Sequence, residues 1–449
     1  MTDVTIIGGG LAGLAAGVAL SEKGAKVALF ERRPLLGGRA YSVKDATTGD
    51  TIDNGQHLFM GCYHHTLNFL EKIGTRDRLQ FQEKMKVEFA DPQGKSYRLE
   101  CPNLPAPLHL LAGLLRLSTL SWREKWAMIK MMRRVEKLTE KDLETLDQLS
   151  CRQWLTLMEQ TEEAIENFWE PLIIGTINEK PDLSSAKMLA VVLREALLKE
   201  KKDSLMVLST VGLSDLYTEA AKKFIEERGG QVFTRRGISK ILLSPSRDEG
   251  EKVDRVVLED GSEQTSRFYL STVPPDALEA MMPENLNGDS FFHRFKAFQF
   301  SPILSINLWF DRPILEETFV GLLRSPIHWV FNKGALLNGS KHYVSLVISA
   351  AHELKEKGQE ELVAIALKEL HQAIPASKNA TLKHSRILKE LRATPSFTLG
   401  SEALRPKTET PFSNLFLAGD WTATGLPATM EGAVKSGHEA AKKILQLSE

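Results

Sequence analysis

Val4-Thr5-Ile6-Ile7-Gly8-Gly9-Gly10-Leu11-Ala12-Gly13-Leu14-Ala15-Ala16 decides the fold. A run rich in β-branched residues passes straight into glycines at 8, 10 and 13, and an apolar helical stretch continues through Leu20. Strand, tight turn and helix together are the context in which a G-x-G-x-x-G pattern carries meaning. Gly8 permits the turn, Gly10 admits a pyrophosphate to the backbone, and Gly13 lets the helix close on the strand. The first N–H groups of the helix, from Leu11 and Ala12, then face the phosphates at the positive end of the helix dipole. A second strand, Lys26 to Phe30, ends on Glu31 and is followed by Arg32. The acid falls about 20 residues beyond the glycines, where a carboxylate meets a ribose hydroxyl. These features describe a dinucleotide site in an α/β domain.

The whole chain has 449 residues, which predicts two domains or one domain with a large insertion. Hydrophobic residues make up 42% and charged residues 26%, as in globular proteins, and a net charge of −1 gives no case for nucleic acid. Cys62, Cys101 and Cys151 are too scattered for a disulfide framework or a zinc site, so no metal and a cytoplasmic location are expected. The first strand begins almost at Met1, which leaves no room for a signal peptide. The most apolar run, Leu104 to Leu120, is interrupted by Pro105, Pro107, His109 and Arg116, short of a spanning helix.

After Glu31 comes Leu36-Gly37-Gly38-Arg39. A glycine pair followed by arginine brings backbone N–H groups and a guanidinium to a second face of a pyrophosphate. The glycine fingerprint, Glu31 and this second pair resemble the FAD-dependent amine oxidase and carotenoid desaturase superfamily. The resemblance implies non-covalent FAD. It also implies a Rossmann-like cofactor domain that is discontinuous, a second mixed α+β substrate domain and a helical insertion. The implied boundaries are 1–80, 206–290 and 396–449 for the cofactor domain, and 81–205 and 291–395 for the substrate domain.

Asp53-Asn54-Gly55-Gln56-His57-Leu58-Phe59 lies where related flavoproteins approach the isoalloxazine ring, and its wording is similar to the hydroxysqualene dehydroxylases. Gly55, Gln56 and His57 are therefore expected at the cofactor, with Gln56 and His57 as catalytic candidates. Histidine titrates near neutral pH and suits proton delivery; a purely structural hydrogen bond in the turn is the other reading. Phe168-Trp169-Glu170-Pro171-Leu172 through Asn178 resembles the same group and is expected either to line a hydrocarbon cavity or to be packing. Arg235 to Ile241 resembles the stretch whose backbone meets the adenine, with Ile238 at the contact. Val253 to Leu258 and Phe268 to Thr272 are expected to pair as a small antiparallel sheet. Ile303 to Phe310 and His342 to Ser349 read as strands of the substrate domain.

At the other end of the chain, Leu415-Phe416-Leu417-Ala418-Gly419-Asp420 is a strand running into Gly-Asp, and Thr429-Met430-Glu431-Gly432 opens a helix. The resemblance places Gly419 and Asp420 on the ribityl chain or pyrophosphate. It aims the Thr429–Met430 helix start at the flavin pyrimidine, where negative charge collects on reduction.

Between Leu104 and Leu138, leucines and prolines give way to basic residues interleaved with Trp122 and Trp126. Residues 104–138 read either as a membrane-surface element or as a helix packed on the core. The resemblance implies an oxidoreductase acting on a long isoprenoid, hydroxysqualene foremost, with a separate protein or NAD(P)H as electron donor. A phytoene-type desaturase and a non-catalytic prenyl-binding escort are the alternatives.

Overall fold

The computed structural model describes residues 2–244, 252–283, 286, 290–337 and 342–448. Val4–Ile7 is the middle strand of a five-stranded parallel sheet in the order 231–234, 27–31, 4–7, 268–271, 415–417. Every residue of Val4–Ile7, Val27–Glu31, Phe268–Ser271 and Leu415–Leu417 is buried. Strands sheathed on both faces suit parallel pairing, because helices must cover each side. Helix Leu11–Glu22 covers one face beside the C-terminal helix Met430–Gln446. A Cβ on Gly437 would lie 2.3 Å from the Ala12 carbonyl oxygen, so the two helices pack in backbone contact. The first and last helices of the chain thus form one layer.

One expected pairing is corrected. Lys252–Leu258 does pair antiparallel, but with Ile238–Ser244 on one side and Glu263–Gln264 on the other. Phe268–Ser271 instead leaves that ribbon and joins the parallel sheet beside Val4–Ile7. An unbroken buried run has no wet face to offer a hairpin, and only a doubly covered position hides it.

The second sheet has seven strands, in the order 382–395, 300–310, 343–348, 329–332, 319–322, 86–90, 96–100. Helix Gln359–Ala373 seals one face through Leu362, Ala366 and Leu370, which pack on Leu304, Ile306, Leu308 and Leu346. The hairpin Lys86–Ala90 and Ser96–Glu100 turns at Asp91-Pro92-Gln93-Gly94, where Gly94 takes φ +76°. A helical layer made by residues 108–204 packs against the opposite side, its core built on Trp154, Trp169, Leu189 and Leu193.

Candidate active site

Glycine chemistry builds the first wall. Gly8 adopts φ +108°, and a Cβ there would meet Thr272 Oγ1 at 2.8 Å. A Cβ on Gly13 would stand 2.1 Å from the Gly8 carbonyl oxygen, which is the close strand–helix approach the spacing predicts. Gly10 caps helix Leu11–Glu22 with no side chain on its amides and no acid in the first turn. The leading N–H groups of Leu11, Ala12 and Gly13 therefore lack intrahelical acceptors. Over Gly10 the nearest atom is the Gly38 Cα, 3.8 Å from where a Cβ would sit, and Gly37 N–H donates to Gly9 O at 2.9 Å. The result is a cradle of backbone donors that fits a pyrophosphate. Glu31 closes its rim: its carboxylate accepts from Gly9 N and Arg33 N, both at 2.8 Å. Arg32 is exposed beside it. Arg236 N–H donates to the Glu31 carbonyl at 2.9 Å, which brings the Arg235–Ile238 segment to the same rim, with the Ile238 side chain buried.

The second wall comes from the far end of the chain. Arg39 forms an ion pair with Asp420 and donates to the Ala393 carbonyl at 3.0 Å. Gly419, at φ +141°, could not carry a Cβ, which would fall 2.6 Å from the Trp421 ring. Thr429 is the N-cap of the C-terminal helix and accepts from Gly432 N at 3.2 Å; Met430 is buried just inside. Glu431 in the same turn accepts from His65 N and Thr66 N, both at 2.8 Å, and so caps helix His64–Lys72 as well. A carboxylate at a helix N-terminus is favourable on charge alone, and here one acid serves two helices.

Asp53 to His57 forms the third wall. Ser42 Oγ at 2.7 Å and Leu213 N at 3.0 Å donate to one Asp53 oxygen, and the Lys333 ammonium donates to the other at 2.8 Å. Lys333 also donates to Gln56 Oε1. Burial alone would raise the Asp53 pKa, but the Lys333 charge and these hydrogen bonds hold it below the ordinary carboxylate value. His57 Nδ1 lies 2.7 Å from the Gly55 carbonyl. A carbonyl only accepts, so Nδ1 carries the proton and Nε2 is the atom left for chemistry. Burial pushes the His57 pKa down, with Lys333 adding to it and Asp53 opposing it.

Next to these walls opens an apolar cavity of about 310 Å³. Phe168, Pro171, Leu172, Gly175 and Thr176 line it, so the Trp-x-Pro-Leu segment is a cavity wall and not mere packing. Leu110, Leu114 and Met132 reach it from the 104–138 region. Leu58, Tyr63 and Thr429 line it, and the polar turn Gly55–His57 immediately precedes Leu58 in the chain; neither His57 nor Gln56 is among the lining residues.

Sequence reasoning missed three groups. Arg405 has a fully buried side chain and donates to the carbonyls of Thr422 and Leu426 at 2.8 and 2.9 Å, and to Thr424 Oγ1 at 2.9 Å. Lys333 is 2% exposed. Glu431 holds the amides of His65 and Thr66, a second helix start that its own turn does not signal. No local pattern marks Lys333, whose partners lie 280 and 277 residues away, or Arg405, whose loop acceptors lie 15 to 21 residues on.

Residues 11–445 match the model of the flavin containing amine oxidoreductases. The chain belongs to that family. It is 27% identical to the 15-cis-phytoene desaturase of Synechococcus elongatus, over 98% of this chain and 95% of that protein. It is 29% identical to the hydroxysqualene dehydroxylase of Sinorhizobium fredii, over 99% of this chain and 98% of that protein. Among solved structures, an oxidoreductase from Methanosarcina mazei superposes with TM-score 0.75 at 17% identity, over 98% of this chain and all of that one. A putrescine oxidase variant gives 0.74 at 18% identity, over 99% of each chain. This flavin amine oxidoreductase binds FAD, and the cradle, the Arg39–Asp420 pair and the Thr429 helix start are the residues that fit it.

Proposed function

We propose that this FAD enzyme reductively removes the allylic hydroxyl of hydroxysqualene to give squalene. The observation that carries the reading is the apolar cavity, walled by Phe168, Pro171, Leu172, Gly175 and Thr176 and lined also by Tyr63, Thr429 and Leu58, the residue that follows the Gly55–His57 turn. A long hydrocarbon gains from such walls, and a water-poor site protects an allylic cation. The C–O bond breaks as the hydroxyl takes one proton and leaves as water, and the allylic carbon takes a hydride, which is the chemistry reduced FAD supplies when bound. His57 is the proposed proton carrier, through Nε2 or a water held there. Gln56, fixed by Lys333, keeps the turn in place. Re-reduction falls to a nicotinamide or a partner protein.

The test is anaerobic: photoreduced holoenzyme mixed with hydroxysqualene should form squalene as the flavin absorbance returns. Flavin that stays reduced, with no squalene, defeats the reading. The phytoene desaturases among the relatives favour a second reading, with hydride passing from substrate to cofactor. Oxidised holoenzyme bleached by phytoene would establish it in place of the first.

We also propose that residues 104–138 rest on a membrane surface through which this substrate arrives. The cavity-facing Leu110, Leu114 and Met132 are backed by Leu108, Trp122 and Trp126, which are 52%, 67% and 60% exposed. Lys125 is turned inward, donating to the Leu115 carbonyl at 2.9 Å at the end of helix Leu108–Arg116, so the stripe is less basic than its sequence. No helix among the described residues is long and apolar enough to cross a membrane. Replacing Trp122 and Trp126 together by serine should weaken co-sedimentation with phosphatidylglycerol vesicles about tenfold. Unchanged sedimentation would remove the surface contact.

A further inference from the structure

Asp53 and Lys333 form a buried ion pair between two parts of the molecule. Asp53 belongs to the strand Thr51–Asp53 that enters the Gly55–His57 turn, and Lys333 follows strand Trp329–Asn332 of the seven-stranded sheet. The two are 5% and 2% exposed. Asp53 accepts from Ser42, Leu213 and Lys333, and Lys333 donates to Asp53 and Gln56. An ammonium buried this deeply is costly to desolvate and adds little net stability over an apolar pair. A structural explanation alone therefore leaves its placement beside a histidine unaccounted for.

We propose that Lys333 is a positioning residue: from the substrate sheet it locks the Asp53–His57 turn so that His57 keeps Nδ1 on the Gly55 carbonyl and presents Nε2 to the reacting hydroxyl. This rests on the role given to His57 above. The geometry supports it at two points. Gln56, the neighbour of His57, is held by the same ammonium that holds Asp53. His57 Nε2 has no protein partner among the described residues. The charged groups facing His57 are Asp53 on its own segment and Lys333 on the facing sheet, and they act on its proton in opposite directions. Tyr217 and Tyr343 close around Asp53; both are buried, which keeps their hydroxyls protonated.

The experiment uses FAD-loaded Lys333→Met, Lys333→Arg and the double variant Asp53→Asn/Lys333→Met, the last removing both charges so that no lone buried carboxylate remains. Two quantities are read: squalene formation against pH, and the His57 side-chain ¹⁵N resonances, assigned with His57→Asn. Lys333→Met, or the double variant if the single one does not fold, should keep FAD but lower kcat about tenfold or more, with KM nearly unchanged. Its His57 resonances should lose the single-tautomer pattern, and Lys333→Arg should restore most of both. His57 resonances and pH profile identical to the unaltered enzyme in every folded variant would overturn the proposal. The nitrogen spectra need no substrate, so they decide the positioning role even if hydroxysqualene is not turned over, which would defeat only the functional reading.

Discussion

An Arg405→Met variant is expected to lose about 3–5 kcal/mol of stability and to emerge from purification largely without its yellow cofactor. The guanidinium is enclosed, stacked 4.3 Å from the centre of the Phe397 ring, and donates to four acceptors on the Asp420–Leu426 loop: the carbonyls of Asp420, Thr422 and Leu426 and Thr424 Oγ1. It also pairs with Glu402 at 3.1 Å. Methionine matches the stem but leaves the buried loop acceptors without their donor, and Glu402 with Lys187, 3.4 Å from its other oxygen, as its remaining cation. The same loop carries Asp420, whose carboxylate meets Arg39, and leads into the Thr429 cap. Releasing it loosens the wall formed by the end of the chain. Lysine keeps the charge but not the planar fork, so Arg405→Lys should recover only part of the loss. Urea unfolding and the flavin absorbance of the purified protein check this. A methionine variant with native midpoint and full FAD content would show that the loop stands without Arg405.

His57→Asn should reduce squalene formation by about 10²–10⁴-fold while FAD stays bound, the range a positioned acid contributes. Asparagine retains a donor for the Gly55 carbonyl, so the turn survives. The pH dependence has a definite sign. Burial depresses the His57 pKa below its ordinary 6.5 against the opposing pull of Asp53 and the Gly55 hydrogen bond, with Lys333 adding a smaller push in the same direction as burial. The imidazolium fraction, and turnover with it, should therefore climb as pH falls through neutrality and saturate only on the acid side of that value. Asp53, held low by Lys333, stays ionised through that range and contributes no slope. A profile of kcat that is flat or falls on acidification would remove His57 as the acid, and hydride transfer from a phytoene-type substrate has no such requirement.

Both ends of the flavin cradle were legible in the linear sequence because each is a local device. Gly8, Gly10 and Gly13 stand at spacings set by one turn and one helix, and Gly419-Asp420 and the Thr429 cap follow the same strand–turn–helix logic. Phe268–Ser271 was misassigned for the opposite reason. A buried strand of four residues has no period of its own, and its partner is chosen by what covers both faces. Lys125 shows the same limit: it sits in a basic amphipathic stripe, yet the fold points it inward to a helix end.

The sequence by itself therefore determined the glycine turn and its dinucleotide site, since short-range backbone geometry dictates both, while the choice of FAD and the meeting of the two chain ends followed from the family resemblance of the motifs. Only the tertiary structure decided that Lys333 answers Asp53 from 280 residues away, that Arg405 ties down the Asp420 loop, and that Phe168 to Thr176 faces an open cavity. Charge burial and cavity walls are properties of surfaces brought together from distant segments, and no window of neighbouring residues contains them.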